Sequence, residues 1–238
     1  MDVRTTCVAL RTIKYKDNRA IVSCLSREFG RLSLSVPDGK GTESRRRRAL
    51  MMPGSIFGCV MDLSEHRDVQ RPREMWGVRP LLLSDPAKGP VALFVCDFLN
   101  SLIRDAQPDA LLFDYVDFTL ATLADTDAIG NYPIAFLTGL QRFMGIEPDA
   151  SEYSRGMVFD LADGLFRRTP PLHHHFLDPD ETAVAAQLTR MDFTNMHAFR
   201  FTQQQRRRIL DVLLEYYSLH FGHLRGLNSL EVVRAVFE

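Results

Sequence analysis

The sequence predicts an α+β chain of more than one domain, a small antiparallel β-barrel followed by a mainly α-helical domain. Three observations lead there. Apolar residues alternate in period two over the first eighty residues and recur at helical spacing from Pro90 onward. Five short apolar runs, the length of strands, fall within those first eighty residues. The charge also changes sign at the same place: residues 1–80 hold 16 Lys and Arg against 9 Asp and Glu, a net of +7, and residues 81–238 hold 13 against 21, a net of −8. We therefore expect a nucleic-acid-binding head over 1–80 and a helical domain over 81–238, since a cationic face attracts polyanions.

The strands come first. Cys7-Val8-Ala9-Leu10 leads to Ile13, Ala20 to Leu25 follows, and Arg31 to Val36 alternates cleanly. Between the last two, Ser26 to Gly30 ends on a glycine that suits a hairpin turn. Pro37 to Ser44 is polar and glycine-rich, reads as a flexible loop, and runs into Arg45-Arg46-Arg47-Arg48. Ile56 to Leu63 and Trp76 to Leu83 supply the fourth and fifth strands. Five short strands fit a small closed barrel, for which the OB-fold is the common soluble version.

Helical spacing begins with Val91 to Leu99 and continues through Ala110 to Leu123. Pro133 at a first-turn position opens a helix that ends near Gly145. Asp178, Asp180 and Glu181 read as an N-terminal acidic cluster. Thr202 can cap a helix through Arg206 to Phe221, and Ser229 a last one to Phe237. Met157 to Leu161, followed by Gly164, Pro170 and Pro171, predicts a short extended insertion near 157–175.

With 45% hydrophobic residues the chain can bury a core, and no apolar run reaches eighteen residues. Met1-Asp2-Val3-Arg4 lacks a secretory pattern, so the reading is soluble and cytoplasmic, with no membrane partner. Cys7, Cys24, Cys59 and Cys96 stand singly, without the CxxC spacing of zinc or redox sites, and read as buried free thiols. No GxSxG, GxxxxGK[ST] or HExxH motif occurs, so nothing points to an enzyme or a cofactor.

Four groups of residues carry the candidate chemistry. Arg45 to Arg48, extended by Lys40, can grip phosphates bidentately, although a charge run is also what a solvated face looks like. Tyr15 and Phe29, beside Lys14, Lys16, Arg27 and Arg31, are candidates for base stacking, and either can equally be core. Arg206-Arg207-Arg208 with the apolar series Ile209 to Leu214 and Tyr216-Tyr217 suits an acidic peptide ending in apolar residues, or else an ordinary core helix with a charged outer face. Asp114 and Asp117, one helical turn apart, with His173-His174-His175, admit a metal-dependent nuclease or phosphoesterase, or simply a wet helix face and a histidine run that binds no metal. An OB-fold adaptor for RNA or protein is a third reading.

Three stretches together resemble the bacterial DNA repair and recombination mediators of the RecO family, in their Bacteroidetes form. They are Val8-Ala9-Leu10 through Tyr15, Ile21-Val22, Phe29-Gly30-Arg31 and Gly39-Lys40-Gly41; then Phe159-Asp160-Leu161-Ala162-Asp163-Gly164; and the close from Arg207 to Glu238 with Leu213-Leu214-Glu215-Tyr216-Tyr217, His220 and Leu227 to Val232. The resemblance implies an N-terminal OB-fold that binds single- and double-stranded DNA and a helical domain, with no covalent chemistry. It further implies strand annealing, binding of the acidic C-terminal tail of single-strand-binding protein SSB, and work with RecR to load RecA on SSB-coated DNA. The positions it assigns to DNA are Arg31, Lys40 and Arg45, Arg46, Arg47 and Arg48, to which the basic flank adds Lys14 and Lys16. For the SSB tail it points to the C-terminal helix around Arg206, Arg207, Arg208 and Tyr217. Many members hold zinc with four cysteines in the helical domain; here only Cys96 lies beyond residue 80, so no structural zinc is expected, and the packing of 159–175 takes its place.

Overall fold

The computed structural model of the chain describes residues 2–16, 18–64, 66–79, 81, 85–103, 107–222, 224, 227 and 229–235. The backbone falls into two compact units, Met1–Thr126 with Gly226–Val233, and Asp127–Arg225 with Arg234–Glu238.

In the first unit, β1 (Asp2–Tyr15), β2 (Arg19–Ser26), β3 (Gly30–Pro37), β4 (Ile56–Asp62) and β5 (Pro72–Arg79) form one sheet in the order β3-β2-β1-β4-β5. All four pairings are antiparallel. Gly30, in the left-handed region at φ 65°, makes the β2–β3 turn that its glycine predicts. The sheet closes where Gln70, just before β5, bridges Leu34 on β3 in parallel. There the Gln70 N–H donates to Ser33 O and the Ser35 N–H to Gln70 O, both at 2.8 Å. The buried Gln70 amide also donates to Ser64 O (2.8 Å) and Arg67 O (2.6 Å) and accepts from the Ser64 N–H (3.1 Å). The result is the OB-like barrel expected from the strand count.

Alternate residues fill its interior: Cys7 and Ala9, Val22 and Cys24, Leu32 and Leu34, Phe57 and Cys59. The thiols of Cys7, Cys24, Cys59 and Cys96 are free and buried. Hydrogen bonding to Cys24 and burial push the Cys7 thiol up, and desolvation pushes Cys96 to about 12. These are inert packing groups.

Between Ala9 and Arg11 the β1–β2 register slips by one residue, a bulge at Leu10. Beyond it Thr12 and Lys14 pair with the inward Val22 and Ala20, so Arg11, Ile13 and Tyr15 turn outward. Helix α1 (Thr42–Leu50) occupies the stretch expected as a flexible loop with its arginine row. Four consecutive arginines carry no apolar periodicity. Arg, Ala and Leu are nonetheless strong helix formers, and Glu43 in the first turn pairs with Arg47 at 3.4 Å. Leu50 and Met51 then pack on the barrel core. On β5, the one tryptophan, Trp76, lies over β4 where only a glycine leaves room: a Cβ on Gly58 would stand 2.2 Å from the ring. The Arg4 guanidinium sits 4.5 Å from the ring centre. Helix α2 (Lys88–Leu102) packs on β1, and α3 (Ala110–Asp125) starts from an Asp109 cap that accepts from the Leu112 N–H at 2.9 Å.

The second unit holds α4 (Tyr132–Met144), β6 (Val158–Asp160), β7 (Leu165–Arg167), β8 (Phe176–Leu177), α5 (Pro179–Leu188) and α6 (Gln203–Phe221). Pro133 and Gly145 delimit α4, Asp178 caps α5, and Thr202 with Gln205 forms a capping box on α6. A last helix, α7 (Leu230–Ala235), follows. The extended insertion is a sheet in the order β7-β6-β8, whose Phe159, Leu161, Phe166 and Leu177 pack with Ala186 and Tyr216. No helix among the described residues is long and apolar enough to cross a membrane.

At the heart of this sheet Asp160 is fully buried. It accepts from the N–H groups of Ala162 (3.0 Å) and Asp163 (3.2 Å) and from Arg167 Nε (2.8 Å), with His173 Nε2 at 3.4 Å. Burial alone raises its pKa, but the Asp163 amide, the Arg167 guanidinium, the Ala162 amide and His173 outweigh that and hold the carboxyl below the usual range. A depressed folded pKa means stability that is present above the unfolded value near 4 and lost as pH falls through the folded one. Asp160→Asn keeps the turn's acceptor and removes the charge. We expect it to cost about 1–2 kcal/mol at pH 7 in urea denaturation, with the gap to wild type narrowing at pH 3.

Candidate nucleic-acid interface and apolar groove

At one end of the barrel three basic segments meet. Asn18 O, at the tip of the β1–β2 hairpin, accepts from the Asp38 N–H at 2.6 Å. The Asp38 carboxylate lies 3.5 Å from Arg48 Nε, and Arg48 also donates to Gly39 O at 3.3 Å. The Thr12 hydroxyl donates to Met51 O at 2.6 Å, which ties β1 to the end of α1. Lys14 and Lys16 of the hairpin, Lys40 of the 38–41 loop and the arginines of α1 thus share one end of the barrel. At about 100° per residue the four arginines fan around α1 rather than lining one side of it. Arg45, Arg46 and Arg48 are exposed and Arg47 is half-buried against Glu43. Arg45 and Arg46 take part in no ion pair among the described residues.

The adjoining outer face of β1, β2 and β3 is open. Ile13 and Tyr15 stand 45% and 43% exposed, and Lys16 Nζ lies 5.6 Å from the Tyr15 ring. Arg11 and Arg19 join them, the latter donating to the Ser35 hydroxyl and carbonyl, both at 2.8 Å. This face and the loop between β1 and β2 are where OB-folds take oligonucleotides. Neither Arg11 nor Arg19 was singled out in the sequence, and for Arg11 the bulge that turns it outward leaves no mark in composition. Of the two aromatic candidates, Phe29 packs against the barrel core and Tyr15 is the exposed one.

Arg31 sits apart. It lies six residues, about 20 Å, down β3 from Pro37. Its guanidinium donates to Asn100 O (2.9 Å), Asn100 Oδ1 (2.9 Å) and Ile103 O (3.3 Å), the free carbonyl end of α2. Asp114 pairs with Arg27 and Asp117 with Arg79, so the two carboxylates read as a possible nuclease pair are each held by an arginine.

In the second unit an apolar groove of about 350 Å³ runs between α5 and α6, floored by Leu161, Leu177, Val184, Ala185, Val212 and Tyr216. Its rim carries Asp180, Glu181, Gln204, Gln205 and Arg208. The three consecutive arginines of α6 diverge. Arg206 Nε donates to Asn131 Oδ1 at 3.0 Å, Arg207 is half-buried, and Arg208 reaches the groove, where it meets Glu181. Tyr217 is buried with its hydroxyl donating to Leu137 O at 2.8 Å, and its neighbour Tyr216 is the tyrosine that lines the groove.

His173 is engaged with Asp160, and His175 Nδ1 lies 2.8 Å from Glu215. Among the described residues no cluster of three His, Cys, Asp or Glu side chains is placed to hold a metal ion. The one cysteine beyond residue 80 is buried in α2, so the residues of the second unit do not fit the four-cysteine zinc site.

Two family models cover most of the chain, Recombination protein O N terminal over residues 1–77 and Recombination protein O C terminal over residues 83–231. A DNA repair protein RecO from Azobacteroides pseudotrichonymphae is 31% identical over 238 residues, covering 99% of each chain. Those from Phocaeicola vulgatus and Porphyromonas gingivalis are 30% identical over 237 residues, 98% of each chain, and 28% identical over 246 residues, 100% of each.

The position of Arg31 yields a test. Arg31→Ala removes three bonds from the end of α2 and should cost about 1–3 kcal/mol of stability in denaturant titration. Arg45→Ala with Arg46→Ala, both on the solvated side of α1, should leave stability within about 0.5 kcal/mol of wild type.

Proposed function

The chain belongs to the RecO family of DNA repair proteins, its role lies in DNA repair and recombination, and on that footing we propose that it is a cytoplasmic recombination mediator that works without covalent chemistry. In this reading the barrel holds single- and double-stranded DNA on the end formed by Lys14, Lys16, Lys40 and the α1 arginines. Tyr15 on the open face offers a ring to a splayed base. Cations between two strands neutralise the repulsion of their phosphates, which lets complementary bases pair. The groove of the second unit takes the C-terminal tail of SSB, with the apolar floor receiving its last residues and Arg208 its carboxylate. With RecR, the protein then helps load RecA on SSB-coated DNA.

The observation that carries the reading is the convergence of three basic segments on one end of a barrel whose adjoining face is open. The nuclease alternative loses its support from Asp114 and Asp117, which are both in ion pairs with arginine. A strand-annealing assay on complementary oligonucleotides, with and without SSB, tests the proposal. Faster annealing with intact strands supports it, whereas strands shortened in magnesium or manganese sink it. Arg45→Ala with Arg46→Ala should lower the slope of log affinity against log salt by about 2 in anisotropy titrations, about 1 for each phosphate that is no longer neutralised.

A further inference from the structure

We propose that Glu181 is an internal competitor for the groove, occupying with its own carboxylate the guanidinium that an acidic peptide needs. Arg208 is the single cationic residue among those that line the groove. It is taken up by Glu181 through both of its forks, Nε to Oε1 at 2.6 Å and Nη2 to Oε2 at 3.2 Å. With that pair made, the rim offers an acidic ligand no uncompensated cation, and Asp180 adds a negative charge. A peptide ending in an apolar residue and a free carboxylate is therefore held only after one carboxylate replaces another on Arg208.

The pair is built to exchange. Arg208 and Glu181 keep 53% and 32% of their side-chain exposure, so both stay partly solvated, and such a pair holds by about fivefold in its equilibrium constant. Glu181 can also let go without unravelling α5. The start of that helix is fixed by Asp178, whose Oδ1 accepts from the N–H groups of Asp180 (2.9 Å) and Glu181 (2.8 Å). Only the Glu181 side chain has to turn. The groove's affinity for acidic peptides is thereby lowered and made reversible, because the resting state is already satisfied.

This inference rests on the groove reading given above, and the test separates the two. A fluorescent peptide of consecutive aspartates closing on phenylalanine with a free carboxyl is titrated by anisotropy against the full chain at low salt. Wild type should bind, and Glu181→Gln should bind about fivefold more tightly. Arg208→Gln should bind more weakly, and adding Glu181→Gln to it should change nothing further. Asp180→Asn, which acts through general repulsion alone, should give its small gain in both backgrounds. Unchanged or weaker binding by Glu181→Gln overturns the competitor, as does an equal gain in the Arg208→Gln background. No binding by wild type or Glu181→Gln, or binding that a bulky Ala185→Phe in the groove floor does not reduce, overturns the groove reading itself.

Discussion

The closure of the barrel at Gln70 is the constraint on which the first unit depends. A five-stranded sheet left open would keep β3 and β5 at opposite edges, each with a row of unpaired amides. The Gln70 backbone joins those edges through two bonds, while its buried side chain satisfies the polar groups of the turn that leads into it. The segment after β3 is held separately: Leu50 and Met51 at the end of α1 pack on the barrel core and Met51 O accepts from the Thr12 hydroxyl. The hairpin tip, the 38–41 loop and α1 share a neighbourhood through these local bonds and the Asn18–Asp38 and Arg48–Asp38 contacts.

The sequence made much of this legible. Period-two alternation placed β2, β3 and β4 within a residue, because inward and outward positions differ in polarity along each strand, whereas β1 starts at Asp2, five residues before the run read from Cys7. The caps of α4, α5 and α6 were readable because Pro133, Gly145, Asp178 and Thr202 are chosen by backbone chemistry that is local. What stayed hidden was non-local. The α1 helix carries no apolar stripe over its arginines and is recognised as a helix only from propensity and the Glu43–Arg47 pair. The start of β5 at Pro72 was obscured by charged and proline residues at an exposed strand. Tyr217 looked available beside the arginines, although its partner is a carbonyl eighty residues away.

The second unit is organised around a single buried acid. Its small sheet gathers donors around one carboxylate. Asp160 takes two turn amides, an arginine and a histidine, and a small apolar sheet surrounds them. The bonds to the ionised carboxylate are charge-assisted and correspondingly stronger than neutral ones. This arrangement also explains why the Phe159 to Gly164 stretch was so readable as a motif: each of its residues serves either the buried acid, its turn or the core beneath it.

The resting place of Trp76 has a practical corollary. The chain has a single indole, and it is wedged between the backbone of Gly58 and the guanidinium of Arg4 within the first unit. Four of the six tyrosines, Tyr132, Tyr153, Tyr216 and Tyr217, belong to the second unit. Light emitted at tryptophan wavelengths is consequently a native, label-free reporter of the barrel alone, while tyrosine absorbance is weighted toward the helical unit. The two halves of this molecule carry separate optical signatures, by which their melting can be followed independently.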